Sequence, residues 1–352
     1  MIETLFKTKM KSFKPYHPTK RMTYEDGLML ISAKRLYKAT NDESYLDFIL
    51  SYLDEWIDEE GRITEYKLED YNIDNILAGN VLFLAYEKTK KDKYLKTIHI
   101  LRKQLTYQPR TTYHNFWHKR IYPHQVWLDG LYMGQIYYLN YAFQFNELSI
   151  IEDSLNQFDN VRKYLFNEAN KLYYHAHDDT KVMQWADKKT GLSPNVWSRS
   201  VGWYAMALTD AIAILKANNT DYSNLKAYLV ELIDNMLPHL KEDMFYQLVD
   251  KPNLKGNYLE TSGSAMISYS LIKGYKLNIF DKHYLEKGKA ILKSIDAHYR
   301  QGDDIDGICR VAGLDNDKRD GSVRYYLSEP VVKNDIKGMG PYYLSHIELL
   351  GL

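Results

Sequence analysis

The chain is short of almost everything that marks a secreted, membrane-spanning or nucleic-acid-binding protein. Its 352 residues include one cysteine, Cys309, so no internal disulfide can form and nothing points to an oxidising compartment. No run approaches the roughly 18 apolar residues of a membrane span. The first residues, Met1-Ile2-Glu3-Thr4-Leu5-Phe6-Lys7, show no apolar stretch leading to a small-residue cleavage site and do not read as a signal peptide. An excess of one charge is missing too. The 46 basic and 46 acidic residues cancel, which leaves no footprint for nucleic acid or an anionic membrane. Linkers rich in Pro, Ser or Gly are absent, so one domain over residues 1–352 is the simplest account. A cytoplasmic location is the default expectation.

What is present is apolar and aromatic. Apolar residues make up 45% of the chain, enough for a large core, and 32 Tyr, 11 Phe and 6 Trp suit both helix interfaces and sugar-binding clefts. The apolar spacing is helical almost throughout. It predicts helices over 45–53, 80–86, 125–140, 149–166, 195–216, 222–240, 262–276, 284–299 and 339–349, with a short hairpin possible near 244–249. A weak repeat joins them. Polar turns at 40–46, 89–95 and 278–285 each carry an Asp near a helix start, followed by Tyr-Leu. A unit of about 50 residues divides the length into six or seven helical hairpins. An open solenoid would repeat itself more faithfully, so a closed ring is favoured.

Four segments depart from ordinary amphipathic helices. They are 72–80, with Asp74; 115–134, with His118, Lys119 and Asp129; 173–203, with His175, Trp197, Arg199 and Trp203; and 259–266, with Glu260. Trp127-Leu128-Asp129-Gly130-Leu131-Tyr132-Met133-Gly134 stands out because it sets one carboxylate among apolar groups, where desolvation favours the protonated form a general acid needs. Its bland alternative is an N-cap on a core helix. In a ring of hairpins the junctions at one end converge, so these segments would line one cleft. That cleft would offer carboxylates (Asp74, Asp129), cations (Lys119, Arg199), imidazoles (His118, His175) and aromatic platforms (Trp197, Trp203), an inventory suited to an acidic sugar. Bland roles remain open as well: Arg199 as a helix ion-pair partner, both tryptophans as core, and Glu260 as an acceptor for turn amides.

Other chemistries lack their signatures. No His-Glu-x-x-His helix or Cys cluster is present, and His175 and His177 would face opposite ways on a strand, so no metal is expected. Thr261-Ser262-Gly263-Ser264 lacks the Gly-x-Ser-x-Gly elbow, and no Gly-rich phosphate loop appears.

Taken in order, the four segments resemble the unsaturated rhamnogalacturonyl hydrolases of glycoside hydrolase family 105, related to the unsaturated glucuronyl hydrolases of family 88. The likeness runs from Thr23-Tyr24-Glu25-Asp26-Gly27 to Tyr325-Tyr326-Leu327-Ser328-Glu329-Pro330, Asn334-Asp335-Ile336-Lys337-Gly338 and Gly340-Pro341-Tyr342. It is most specific in Phe116-Trp117-His118-Lys119, in Trp127 to Met133, and in Trp197 to Trp203. The resemblance implies an all-α (α/α)6 barrel. It also implies release of a 4,5-unsaturated uronic acid from the non-reducing end of lyase-generated oligosaccharides. By position Asp129 is similar to the family's general acid/base, Asp74 to its second carboxylate, and Lys119, His118, His175, Trp197, Arg199 and Trp203 to its substrate pocket. The stretch Ser198-Arg199-Ser200 departs from the family's usual Ala before the Arg, which bears on sugar preference.

Such a substrate carries a C4=C5 vinyl ether. Protonation at C4 and hydration at C5 release the sugar, one carboxyl group serving as acid and then as base, with no metal or organic cofactor. The expected partner is a small acidic oligosaccharide, with no nucleic acid and no membrane, and the chain is expected to act as a monomer or weak homodimer. Alternatives are a glucuronyl hydrolase acting on glycosaminoglycan-type disaccharides, a conventional glycosidase or sugar epimerase, and a non-catalytic helical-repeat scaffold.

Overall fold

A computed structural model describes residues 2–13 and 22–352. Among the described residues thirteen α-helices follow one another: α1 Ile2–Ser12, α2 Tyr24–Thr40, α3 Glu43–Trp56, α4 Leu82–Thr89, α5 Asp92–Tyr107, α6 Leu128–Phe145, α7 Ser149–Leu165, α8 Ser198–Ala217, α9 Ser223–Met236, α10 Thr261–Lys276, α11 Lys282–Tyr299, α12 Val323–Ser328 and α13 Ile336–Glu348. A 3-10 segment, Ile73–Val81, runs directly into α4.

The helices form an inner and an outer layer. In the inner layer α2 packs on the 73–81 segment, and that segment packs on α6. The ring continues through α8, α10 and α13 and closes back on α2. Outside it α3, α5, α7, α9 and α11 each cover the inner element that precedes them, and α1 packs on α13. This is an (α/α)6 ring of six helix pairs, the sixth made from the first and last of the thirteen helices. Burial follows the layers. Every residue of α10 from Thr261 to Gly274 is buried, as expected of a helix enclosed on all sides, whereas α7 and α11 bury one stripe each.

The repeated turns work as cap pairs. Asn41, Lys90 and Asn278 close helical segments in the left-handed conformation. Asp42 and Asp281 then cap the next helix by accepting from the backbone N–H of Ser44 and His283. At the middle turn the cap residue is Lys91, with Asp92 first inside the helix. The Tyr that follows each Asp packs inward, fully so at Tyr45 and Tyr94.

Local differences from the expected elements have local causes. Residues 125–127 form a short strand antiparallel to Ala176–Asp178, so the third helix of the inner ring starts at Leu128. Residues 244–249 make isolated bridges to Lys241, Leu259 and Trp197 in place of a hairpin. No helix among the described residues is long and apolar enough to cross a membrane.

Candidate active site

All inner segments run the same way, so their N-termini meet at one mouth of the ring. There a cavity of about 220 Å³ is bordered by Tyr24 and Glu25 at the start of α2, Asp74 on the 3-10 segment, His118 and Lys119, and Asp129 at the start of α6. Two carboxylates 55 positions apart in the chain thus share one chamber.

Asp74 is positioned by its own turn. The Asn72 side chain accepts from the Asp74 backbone N–H at 3.1 Å, and the carboxylate lies 2.6 Å from Lys119 Nζ and 3.4 Å from His118 Nε2. Burial works to lower the Lys119 pKa, but the charge and hydrogen bond of Asp74, helped by Tyr122 and Glu25, together outweigh it and hold the ammonium above its usual value. Burial pushes His118 the other way, down to about 4, so its imidazole is neutral near pH 7 despite Asp74 beside it. The ring lies flat on Trp127, 4.6 Å between centroids and 7° between planes. It also sits against Gly130, where an added Cβ would come within 3.0 Å of Nδ1. The glycine after Asp129 therefore makes room for the histidine that faces Asp74.

Asp129 occupies the first turn of α6. Its apolar neighbours Leu128, Leu131, Tyr132 and Met133 are all buried, while its own side chain keeps 14% of its surface open. Its Oδ2 stands 3.5 Å from His175 Nε2, and His175 Nδ1 shares a 2.6 Å hydrogen bond with the Tyr326 hydroxyl. His177 points elsewhere, to Tyr113 and the Thr190 carbonyl, so the two histidines do face different neighbours.

The remaining candidates lie behind this wall. Trp197 stacks obliquely on His175 and donates Nε1–H to Gln247, and does not border the cavity. Arg199 is buried beside it, over the Trp197 ring, donating to the Cys309 carbonyl. Its Nε and Nη1 have no hydrogen-bond partner among the described residues. Trp203 is the clearest correction. It sits more than a turn into α8, buried between Tyr24 and Tyr132, and forms the floor in place of a sugar platform. Glu260 caps α10, accepting from Ser262 N, Gly263 N and Cys309 N, the bland role weighed for it.

Several contributors carried no local sequence signal as candidates. Arg319 and the 311–313 loop border the cavity from far along the chain, and Arg319 forms no ion pair among the described residues. Glu25 is a third carboxyl group in the chamber. Burial raises its pKa, and Lys337, 3.6 Å away, pulls it back only in part. Tyr326 reaches His175 across 151 positions.

A helical double ring with carboxylates, a cation and stacked aromatics at its mouth is the architecture of a carbohydrate-processing barrel. The model of Glycosyl Hydrolase Family 88 matches residues 1–352. A glycoside hydrolase from family 105 of C. acetobutylicum ATCC 824 superposes with a TM-score of 0.93 at 41% identity, covering 98% of each chain. The unsaturated rhamnogalacturonyl hydrolase YesR of Bacillus subtilis is 24% identical over 277 residues, 77% of this chain and 75% of its own. The unsaturated glucuronyl hydrolase of Bacillus sp. GL1 shares the fold, with a TM-score of 0.67 at 15% identity over 93% of this chain and 85% of its own. The chain belongs to the glycoside hydrolase family 88 and 105 group.

Proposed function

We propose that this protein hydrolyses a 4,5-unsaturated uronic acid from the non-reducing end of small lyase products, with Asp129 as proton donor and then as general base. We take residues 1–352 as one catalytic domain, and the lone buried thiol of Cys309 suits a reducing, cytoplasmic setting. The observation that carries the reading is the asymmetric pair of carboxylates. Asp74 is tied to Lys119 at 2.6 Å, while Asp129 faces the chamber with only an imidazole at 3.5 Å. Asp74 is committed to its lysine, whereas Asp129 has no cation bonded to it among the described residues and stands at the chamber wall, in position to meet the substrate. Asp129 delivers the proton to C4 of the vinyl ether, positive charge develops at C5 and the ring oxygen, and water adds at C5. Asp129, now a carboxylate, takes the water's proton, and the hemiketal opens to free the leaving sugar. A second nucleophilic carboxylate is unnecessary, unlike in double-displacement glycosidases. Asp74, through Lys119, holds the substrate. Lys119 and Arg319 are the cations placed to receive the uronate carboxylate.

Rhamnose as the leaving sugar rests on the similarity to YesR. A panel of unsaturated disaccharides, followed by loss of the double bond's ultraviolet absorbance, separates this from glucuronyl substrates. In the same assay Asp129→Asn is expected to lose at least about 1000-fold in kcat while still binding substrate. Near wild-type turnover in that variant would remove Asp129 from the donor role.

A further inference from the structure

The ring has a second mouth, where the inner segments end, and it holds its own cavity of about 280 Å³. The aromatic floor separates the two chambers, since Trp203 and Tyr132 stack at 5.2 Å and Tyr132 borders the far side. Lys34, Arg35 and Lys38 project into this far chamber from α2. Asp210 is the acid bordering it, and its charge is already engaged by Lys273 and by the Tyr269 hydroxyl at 2.6 Å. Arg35 reaches Asp210 only at 3.5 Å. Lys34 Nζ donates to the Asn80 carbonyl at 2.7 Å, a neutral acceptor. Three cations are thus gathered around a space far larger than one water requires, and of the acids that act on them, Asp210, Glu348 and Glu87, the first two are shared with Lys273 and Lys276.

Cations near helix C-termini are favoured by the dipole, which explains part of the clustering. It does not explain their crowding. Burial, and then the charges of Lys38 and Arg35, pull the Lys34 ammonium down to about 7, with exposed Glu87 a lesser opposing charge. A bound anion relieves that crowding.

We propose that the far chamber is a binding site for a doubly charged oxyanion of the phosphate class, gripped by Lys34, Arg35 and Lys38. Arg35 supplies a planar fork for two oxygens and the lysines supply point charges, the combination that suits tetrahedral oxyanions. The volume admits either the free ion or a phosphorylated sugar. Neither the catalytic cavity nor its residues take part, so the site stands or falls independently of the proposed reaction.

The test is calorimetric titration of the intact protein with inorganic phosphate, and separately with glucose 1-phosphate, at constant ionic strength. Saturable binding of either is expected, and the stronger of the two identifies the source of the oxyanion. Lys38→Gln, an exposed position that should fold normally, is expected to weaken it about tenfold, and Lys34→Gln likewise, with turnover of an unsaturated disaccharide unchanged. Absence of saturable binding of both probes would overturn the proposal, as would wild-type affinity in both variants.

Discussion

Individual residues divide the chemistry here between holding and transferring. His175 is placed to serve Asp129 only if its ring keeps one orientation, and the Tyr326 hydroxyl at 2.6 Å from Nδ1 is what fixes it. Burial raises the Tyr326 pKa far above the ordinary phenol value, so the hydroxyl keeps its proton. Tyr326→Phe should therefore lower kcat about tenfold with little change in KM, because it removes one buried hydrogen bond and leaves the cavity wall intact. Steady-state kinetics on an unsaturated disaccharide would show it, and an unaltered kcat would deny Tyr326 this positioning role. His118 makes a different prediction. Its native pKa of about 4 lies below the ordinary histidine value of 6.5, so between those values the unfolded chain binds the extra proton. Its contribution to stability is complete above about pH 6.5 and drains away as the pH falls toward 4, by on the order of 3 kcal/mol. Urea midpoints at pH 7 and 4.5 should fall less in His118→Gln than in wild type, and an identical fall in both would contradict the assignment. At this scale legibility tracked sequence proximity. Asp74, His118, Lys119 and Asp129 sit at loop-to-helix junctions whose polar residues stand out locally, and the fold brings them into one cavity. Arg319 had no such mark, and Glu25 and Tyr326, though inside the stretches of family likeness, were not set apart as site residues, since only the closure of the ring gives them their neighbours. Trp203 misled for the converse reason. It shares a motif with Arg199, yet a further turn of helix carries it down into the floor.

At the level of elements, helical periodicity was enough to locate most helices but not the segments that aim the side chains. The three-residue strand 125–127 is too short to show alternation, and the 3-10 segment 73–81 is apolar without a 3.6-residue rhythm. Both bring a carboxylate to the mouth. What lets the inner elements approach closely enough is small residues at the crossings. Gly263, in the first turn of α10, meets the start of α8, where an added Cβ would fall 2.6 Å from the Ser198 carbonyl carbon and 2.8 Å from Arg199 N. Backbone cannot yield as a side-chain tip can. Gly263→Ala is thus expected to destabilise by about 1–3 kcal/mol. It should also lower kcat, since Trp197, Arg199 and the Cys309 strand lean on that crossing. Denaturant midpoints and turnover measured together check this, and wild-type stability in the variant would mean that the two helices adjust freely.

For the whole molecule, the ring's direction matters more than any one contact. Each inner segment presents its N-terminus to the catalytic mouth, where the aligned peptide dipoles place a partial positive charge, offset in part by caps such as Glu260 on α10 and Asp335 on α13. Among the fixed charges, Asp74 is neutralised by Lys119 at 2.6 Å, Lys337 is shared between Asp335 at 3.0 Å and Glu25 at 3.6 Å, and Arg319 on the cavity wall forms no ion pair among the described residues. The helix ends next to the cavity and the Arg319 guanidinium then favour an anion there. The starts of α2, the 3-10 segment and α6 border the cavity directly. A uronate carboxylate should therefore be drawn in by a field that salt screens, the Debye length shrinking from about 30 Å at 0.01 M to about 10 Å at 0.1 M. We expect kcat/KM for an unsaturated uronyl disaccharide to fall several-fold across that range, and kcat/KM for its methyl ester to stay nearly flat. Parallel salt dependence for both substrates would show that the helix ends do not steer the substrate, and would leave the uronate's recognition to direct contact with Lys119 and Arg319 alone.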